Sequence, residues 1–566
     1  MEYETIYSKF KQTAEKYPKN EALAVIENSR YKAMSYAELS HKTKQLSAGF
    51  SGAGLSKGDK IAFMANNGPN WVMIDLASAA LGIINAPIHT TYKAQYIRYI
   101  AERTSSRWLI IDQKFWNLFK DDLKDLKVER VVVIGHEGDF GSLFIDNDFS
   151  ETIANQDDVH TIIHTSGTTG MPKGVMLTHK NILSNVFGAK NSVFMDSSDR
   201  FLSFMPLSHA LERTAGYYVP ILSGAAIYYA QSKDTMKHDI IKAKPTILIS
   251  VPRVFEKVYD AVWDKATHGS ALKKWMFYKA LDFGSKRRKR QLRGLDFAIY
   301  CALDILVLKK IRAGLGGCLR FAISGGSALS ADIMQFFEDI GLLIIEGYGL
   351  TETSPIVAVN KADNYKFGAV GLPLAGVEVK IAYDGEVKVR GDIVMKGYYD
   401  DPSATQEAID SQGWFSTGDL GLIDSDGFLK ITGRKKEIIV LSTGKNSAPV
   451  PIEQELEANR FIAQAFVYGD NQKHISALIV PDFDELKRWS EKYGIAYDMP
   501  DMLLRDDARQ LFEKEIKSQL NHFPEYEQVR DFRLIAEEFT QENDLLTPTL
   551  KLKRKKILER YLTSIY

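Results

Sequence analysis

Cysteine is almost missing from this chain: Cys301 and Cys318 are the only two in 566 residues. That excludes a disulfide framework and any C-x-x-C metal site, and it suits a reducing compartment. An excess of either charge is also missing. Lys plus Arg number 72 and Asp plus Glu number 72, which argues against wholesale nucleic-acid binding. The apolar run over 297–308 is broken by Asp304 and falls short of the ~20 residues a membrane span requires. The first residues, Met-Glu-Tyr-Glu-Thr-Ile-Tyr, carry neither a basic n-region nor an apolar h-region, so no secretory signal is expected. No internal repeat or low-complexity tract breaks the pattern. These absences together predict a cytoplasmic protein, soluble or peripheral on the inner face of a membrane.

What is present is apolar residues, at 45% of the chain. That is enough for several cores, and the length suggests about three to four domain-sized units. Short β-prone runs at 60–64, 84–88, 107–111 and 130–134 alternate with helical stretches such as 71–81. Further strands are expected at 225–229, 246–250, 319–324 and 342–346. Strand–helix alternation predicts an α/β fold of parallel sheets covered by helices. Near Gly376 the texture changes to an alternating hairpin turning at Asp384-Gly385. A large N-terminal domain over 1–435 is therefore predicted, with a small antiparallel β subdomain at about 376–433. A small α+β C-terminal domain follows over 436–566, with its own hairpin at 463–468 and 475–480.

The most specific string is Thr165-Ser166-Gly167-Thr168-Thr169-Gly170-Met171-Pro172-Lys173-Gly174, entered from an apolar run. Glycines let successive backbone N–H groups converge on one anion. Thr165, Ser166, Thr168 and Thr169 add hydroxyl donors, and Lys173 adds a mobile cation. This is a polyphosphate cradle, and it predicts use of ATP. It is not a P-loop, in which Ser or Thr follows the lysine; Gly174 stands there instead.

Three more strings carry chemistry. Ser324-Gly325-Gly326-Ser327 follows a predicted strand and precedes a helix, where open α/β sheets bind ligands; a packing loop reads equally well. In Glu346-Gly347-Tyr348-Gly349-Leu350-Thr351-Glu352, Tyr348 can stack on a purine and Thr351 can donate to an α-phosphate. Glu352 offers hard oxygen to Mg²⁺, although Thr351 would also serve as a helix cap. Thr417-Gly418-Asp419 ends in a carboxylate suited to ribose hydroxyls or to a plain turn.

The phosphate string resembles the signature of the adenylate-forming superfamily, which comprises acyl- and aryl-CoA synthetases, luciferases and peptide-synthetase adenylation domains. Five separate strings occur in family order, over roughly residues 5 to 560. Pro206-Leu207-Ser208-His209 and Val251-Pro252-Arg253 are most similar to the long-chain fatty acyl-CoA synthetases. The resemblance implies activation of a fatty acid by ATP to acyl-AMP with release of pyrophosphate. Transfer to the thiol of coenzyme A follows, with acyl carrier protein as the alternative acceptor, and a homodimer also falls within the family's range.

By the same resemblance, Gly325, Gly326 and Ser327 border adenine, and Gly347, Tyr348, Gly349 and Thr351 complete the nucleotide site. Asp419 and Arg434 hold the ribose, and Glu352 holds Mg²⁺. His209 lies between the ATP and acyl pockets, and Thr168, Glu352, His209 and Lys551 are the implied catalytic residues. The small C-terminal domain is mobile about a hinge at Lys436. The segment with Gly444 and Lys445 then serves coenzyme A. The family pattern has Gly before the C-terminal lysine. Leu550 stands there, as in the long-chain branch, and Lys553 competes with Lys551 for the role. Finally, the aromatic and basic stretch over 273–290 suits either contact with anionic lipid or a solvated helix face.

Overall fold

The computed structural model describes residues 5–136, 138–149, 151, 154–165, 171–232, 234–547 and 551–562. They fall into two compact units. The larger comprises 1–380, 388–416 and 427–429, and the smaller comprises 381–387, 417–426 and 430–566.

The larger unit holds two large sheets. A seven-stranded sheet runs in the order Gly397–Tyr398, Lys173–Thr178, Val159–Thr165, Ile84–Pro87, Lys60–Met64, Trp108–Asp112 and Arg130–Ile134. Its last five strands are parallel, joined by crossovers. At one end of the sheet Lys173–Thr178 pairs antiparallel with Val159–Thr165, and Gly397–Tyr398 pairs antiparallel with Lys173–Thr178. The nine-stranded sheet is built alike. Six parallel strands (Leu343–Gly349, Phe321–Ser324, Ile247–Ser250, Arg200–Ser203, Ala226–Tyr229, Glu21–Glu27) are flanked by Ile356–Val359 and Leu372–Pro373 on one side and Arg30–Ser35 on the other, all antiparallel. The expected parallel sheets thus carry antiparallel strands as well, at one end of the seven-stranded sheet and at both ends of the nine-stranded one.

Helix Pro69–Leu81 is buried at every position from Trp71 to Leu81. Its apolar residues run all round, as a helix packed on several sides requires. Pro69 pre-sets its first turn, and Gly82 ends it in the left-handed conformation at φ 67°. It packs on helix Tyr36–Gly52, which starts in a Ser35/Glu38 capping box.

The predicted hairpin appears as Val377–Ile381 and Glu386–Gly391. It is continued by Phe415–Ile423 and Leu429–Arg434 into a four-stranded sheet. Beyond it, strands Ile462–Tyr468 and Ile475–Pro481 pair antiparallel, and Val529–Leu534 adds parallel to the second. Helices Pro449–Glu457 and Asp506–Gln519 cover this sheet through Ile452, Leu456, Phe512 and Ile516.

Candidate nucleotide-binding and active site

Three loops of the larger unit open at one end of the nine-stranded sheet. The chain leaves Arg200–Ser203 toward His209, leaves Phe321–Ser324 into Gly325-Gly326-Ser327, and runs along Leu343–Gly349 through Gly347, Tyr348 and Gly349. The last two strands are parallel neighbours with Ser324 opposite Glu346. Both glycine strings therefore emerge side by side at carboxyl strand ends, where doubly wound sheets bind ligands. Gly326 takes φ 89°, a left-handed value that suits glycine. Glu346 is buried and accepts the Leu329 N–H at 2.9 Å, which clamps the loop after Ser327 to the next strand. Burial pushes its carboxyl up to about 7.

Thr351 and Glu352 sit in a single 3₁₀ turn, Thr351–Thr353, whose cap position is Leu350. The helix that Thr351 would have capped does not form. Glu352 Oε1 accepts a hydrogen bond from the Tyr398 hydroxyl at 2.9 Å. Burial and the neighbouring Glu352 carboxylate push the Tyr398 hydroxyl well above the usual phenol range. On the edge of the seven-stranded sheet, Tyr398 stands opposite Val175. Alternation puts Lys173 and Val175 on one face of their strand. Lys173 Nζ accordingly lies 5.0 Å over the Tyr398 ring and 3.9 Å from Asp401 Oδ2. Tyr398 thus joins the cation of the phosphate string to the carboxylate proposed for Mg²⁺.

Thr165 closes strand Val159–Thr165 directly opposite Lys173. Ser166, Gly167, Thr168, Thr169 and Gly170, the cradle between these two strands, lie outside the described residues. Near the end of strand Val159–Thr165, burial holds His164 down at about 4, so that the ring is neutral near pH 7.

His209 is half-buried, and its carbonyl accepts the Arg213 N–H at 3.0 Å. Arg213 anchors this segment to the rest of the unit. Its fully buried guanidinium pairs with Asp75 and donates to Thr161 Oγ1 at 2.7 Å and to Asn85 Oδ1 at 2.9 Å. The Tyr217 and Tyr218 hydroxyls each donate to Asp75 Oδ2 at 2.9 Å. Despite its burial, Asp75 is held well below the usual carboxylate range by Arg213 and His160. The network ties the His209 segment to the strand that leads into the phosphate turn. Sequence reasoning missed it, as it missed Tyr398.

In the smaller unit, Asp419 is buried, and its Oδ1 lies 2.9 Å from Arg434 Nε. Lys436 is exposed in the one-turn 3₁₀ helix Lys435–Glu437. Gly444 and Lys445 form the turn between strands Ile439–Val440 and Asn446–Ser447. Gly444 is exposed at φ 77°, and Lys445 Nζ stands 5.7 Å over the Tyr526 ring. Lys551 is exposed, and its N–H donates to Thr547 Oγ1 at 3.0 Å. Lys553 is ion-paired to Asp544.

The model of the AMP-binding enzyme family matches residues 10–399, and that of the AMP-binding enzyme C-terminal domain matches 436–565. The chain belongs to the AMP-binding enzyme family. It is 33% identical over 554 residues to the long-chain-fatty-acid–CoA ligase FadD15 of Mycobacterium bovis, covering 94% of this chain and 91% of that protein. It is 31% identical to the peroxisomal long chain acyl-CoA synthetase 7 of Arabidopsis thaliana, covering 97% and 84%. Among solved structures, the anthranilate CoA ligase AuaEII with anthranoyl-AMP superposes with a TM-score of 0.79 at 19% identity, over 100% of this chain and 98% of that one. ATP-bound MatB from Rhodopseudomonas palustris gives 0.73 at 22%, over 99% of each. These two likenesses bear on the fold alone.

Proposed function

We propose that this chain is an AMP-forming long-chain fatty acid–CoA ligase. The observation that carries the reading is the approach of Lys173 to the Tyr398 ring and of Glu352 to its hydroxyl. A polyphosphate needs a cation, and its magnesium ion needs a hard carboxylate, within reach of one another. Among the described residues no cluster of three or more His, Cys, Asp or Glu side chains could hold a metal alone. A single carboxylate completed by phosphate oxygens is the usual manner of Mg²⁺ binding, and Glu352 fits it. The ion, when bound, neutralises phosphate charge.

A carboxylate is a poor acyl donor, because its leaving group would be oxide. Attack of the fatty carboxylate on the α-phosphorus forms acyl-AMP and breaks the bond to pyrophosphate. Both reactants are anionic, so fixed positive charge and donors lower the barrier. In this reading Lys173 and the hydroxyls of Thr165, Ser166, Thr168 and Thr169 hold the β- and γ-phosphates. Thr351 donates to the α-phosphate, Tyr348 stacks on adenine against Gly325-Gly326-Ser327, and Asp419 with Arg434 binds ribose. His209 borders the acyl group, and Lys551 neutralises charge at the attacking oxygen. The thiolate of coenzyme A then displaces AMP. The reading includes a turn of the segment from 436 onward about Lys436, which withdraws Lys551 and presents Gly444 and Lys445 to the pantetheine.

The test is pyrophosphate release across C2 to C18 acids, with and without coenzyme A. Release is expected to require Mg²⁺ and a long-chain acid, with AMP accumulating. Accumulation of ADP would overturn the reading. Thioester formation on acyl carrier protein but not on coenzyme A would replace the acceptor.

A further inference from the structure

Adjacent parallel strands Ile247–Ser250 and Phe321–Ser324 are joined by a long helical crossover. It contains helices Ala271–Arg288 and Leu295–Leu303, the second continuing through Asp304–Leu308 and Lys309–Ala313. The inner side of this pair is ordinary core: Phe277, Phe283, Leu303 and Leu308 are buried with Phe337 and Ile340. The outer side is not ordinary. Eight of the twenty large apolar or aromatic side chains exposed among the described residues lie between 272 and 306. Leu295 is 76% exposed, Ile305 63% and Leu306 50%. Ile299 follows Leu295 at i+4, and Ile305 and Leu306 follow in the π-helical turn Asp304–Leu308, so the four make an exposed apolar stripe, which Phe297 at 58% broadens. Trp275 and Tyr278, at 57% and 52%, stand out from the adjoining helix.

The stripe is apolar even though Asp304 interrupts the run. Arg312 takes the Asp304 carboxylate in two contacts, at 2.7 and 2.9 Å, and neutralises it. Around the stripe the charge is mostly positive: Asp282 is ion-paired to Lys286, which leaves Asp296 as the other carboxylate on these helices. Lys273 and Lys274 on the first helix, Lys289 and Arg290 just past its end, and Lys309 and Lys310 at the end of the second are exposed and have no ion pair among the described residues. This concentration sits in a chain of net charge zero.

A solvated helix presents charge on its outer face, whereas a basic rim around bare Leu, Ile, Trp and Tyr is the composition of a helix lying in an interface. The rim selects the occupant. A two-fold pairing of this face with a second copy would set the lysines of each against those of the other. An anionic bilayer complements both the rim and the stripe. We propose that the helices over 271–310 are a membrane-docking face, with Leu295, Ile299, Ile305 and Leu306 among the acyl chains and the lysine rim on anionic headgroups. No helix among the described residues is long and apolar enough to cross a membrane, so the contact is peripheral. The proposal does not rest on the ligase reading.

The test is co-sedimentation of the full chain, without ATP or fatty acid, with phosphatidylcholine vesicles and with vesicles containing 30% phosphatidylglycerol. Binding is expected to be about tenfold tighter on the anionic vesicles and to weaken with salt. Substituting Ile305→Glu together with Leu306→Glu is expected to weaken anionic binding by about tenfold or more. Because both side chains are exposed, the melting temperature should hold. Lys309→Glu with Lys310→Glu should lower anionic binding while leaving the weak binding to phosphatidylcholine in place. Equal binding to both vesicle types, or binding untouched by Ile305→Glu/Leu306→Glu, would overturn the proposal. A wild-type dimer that this double variant converts to monomer, with no vesicle binding by either, would assign the face to self-association instead. Pyrophosphate release in vesicle-free buffer reads the ligase activity separately.

Discussion

The Tyr398 hydroxyl donates to Glu352 Oε1 at 2.9 Å. The bond ties the edge of the seven-stranded sheet to the turn that follows the parallel core of the nine-stranded sheet. Removing the donor takes this partner from the Glu352 carboxylate. Such outer partners of a metal ligand are worth about 10- to 100-fold in metal affinity or activity. Tyr398→Phe is therefore expected to raise the Mg²⁺ concentration for half-maximal pyrophosphate release by about tenfold, with a smaller change in kcat at saturation. A magnesium titration of both proteins reads this, and coincident curves would deny Tyr398 any positioning role.

The tail holds two candidate lysines, and substitution tells them apart. Lys553 is ion-paired to Asp544, which also pairs with Lys556. Lys551 is exposed, with its backbone braced by Thr547 at 3.0 and 2.8 Å. Removing a donor aimed at developing charge typically lowers kcat by about 100- to 1,000-fold, and Lys551→Ala should do so in adenylation. Thioester formation from supplied acyl-adenylate should stay near the wild-type rate. Lys553→Ala is expected to remain within a few-fold in both half-reactions. The opposite pattern would move the catalytic role to Lys553.

Gly349 has no room for a side chain, because a Cβ there would lie 1.6 Å from the backbone oxygen of Pro355. Neither group is the far end of a flexible chain, so the backbone must move. Gly349→Ala is expected to destabilise the larger unit by about 1–3 kcal/mol, the usual range for overpacking. Because Tyr348 precedes it, the KM for ATP should rise as well. A lowered melting temperature with an unchanged KM would show that the displacement does not reach Tyr348.

Local signals carried much of the fold. Lys60–Met64 and Arg130–Ile134 were legible as runs bounded by turn residues, and their observed limits agree with the expected ones. The glycine strings were legible because a strand followed by Gly-Gly marks a carboxyl strand end. What stayed hidden depends on register and packing between distant segments. Tyr398 meets Glu352 across 46 residues, and Arg213 meets Asp75 across 138. No local pattern distinguishes either from an ordinary aromatic or a surface ion pair. The antiparallel end strands were hidden for the same reason, since alternation of strand and helix speaks only for parallel pairs.

Glu212, between His209 and the anchoring Arg213, titrates away from its ordinary range. It opens the π-helical segment Glu212–Tyr218 and is fully buried. Gly216 packs so closely on it that a Cβ would lie 2.6 Å from the carboxyl carbon. Burial pushes its carboxyl up to about 8, against a smaller opposing pull from the Ser203 hydroxyl. In the unfolded chain the group titrates near 4.5. Between those values the folded protein keeps the proton that the unfolded chain releases. The stability contributed is full below the unfolded value and is lost as pH rises through about 8. Glu212→Gln retains the shape and removes the titration. The variant is expected to lie close to the wild type in urea midpoint at pH 5 and clearly above it at pH 8.5. Glu346, raised to about 7, titrates in both proteins and cancels from the comparison. Midpoints that fall in parallel for the two proteins between pH 5 and 8.5 would mean that Glu212 ionises normally in the folded state.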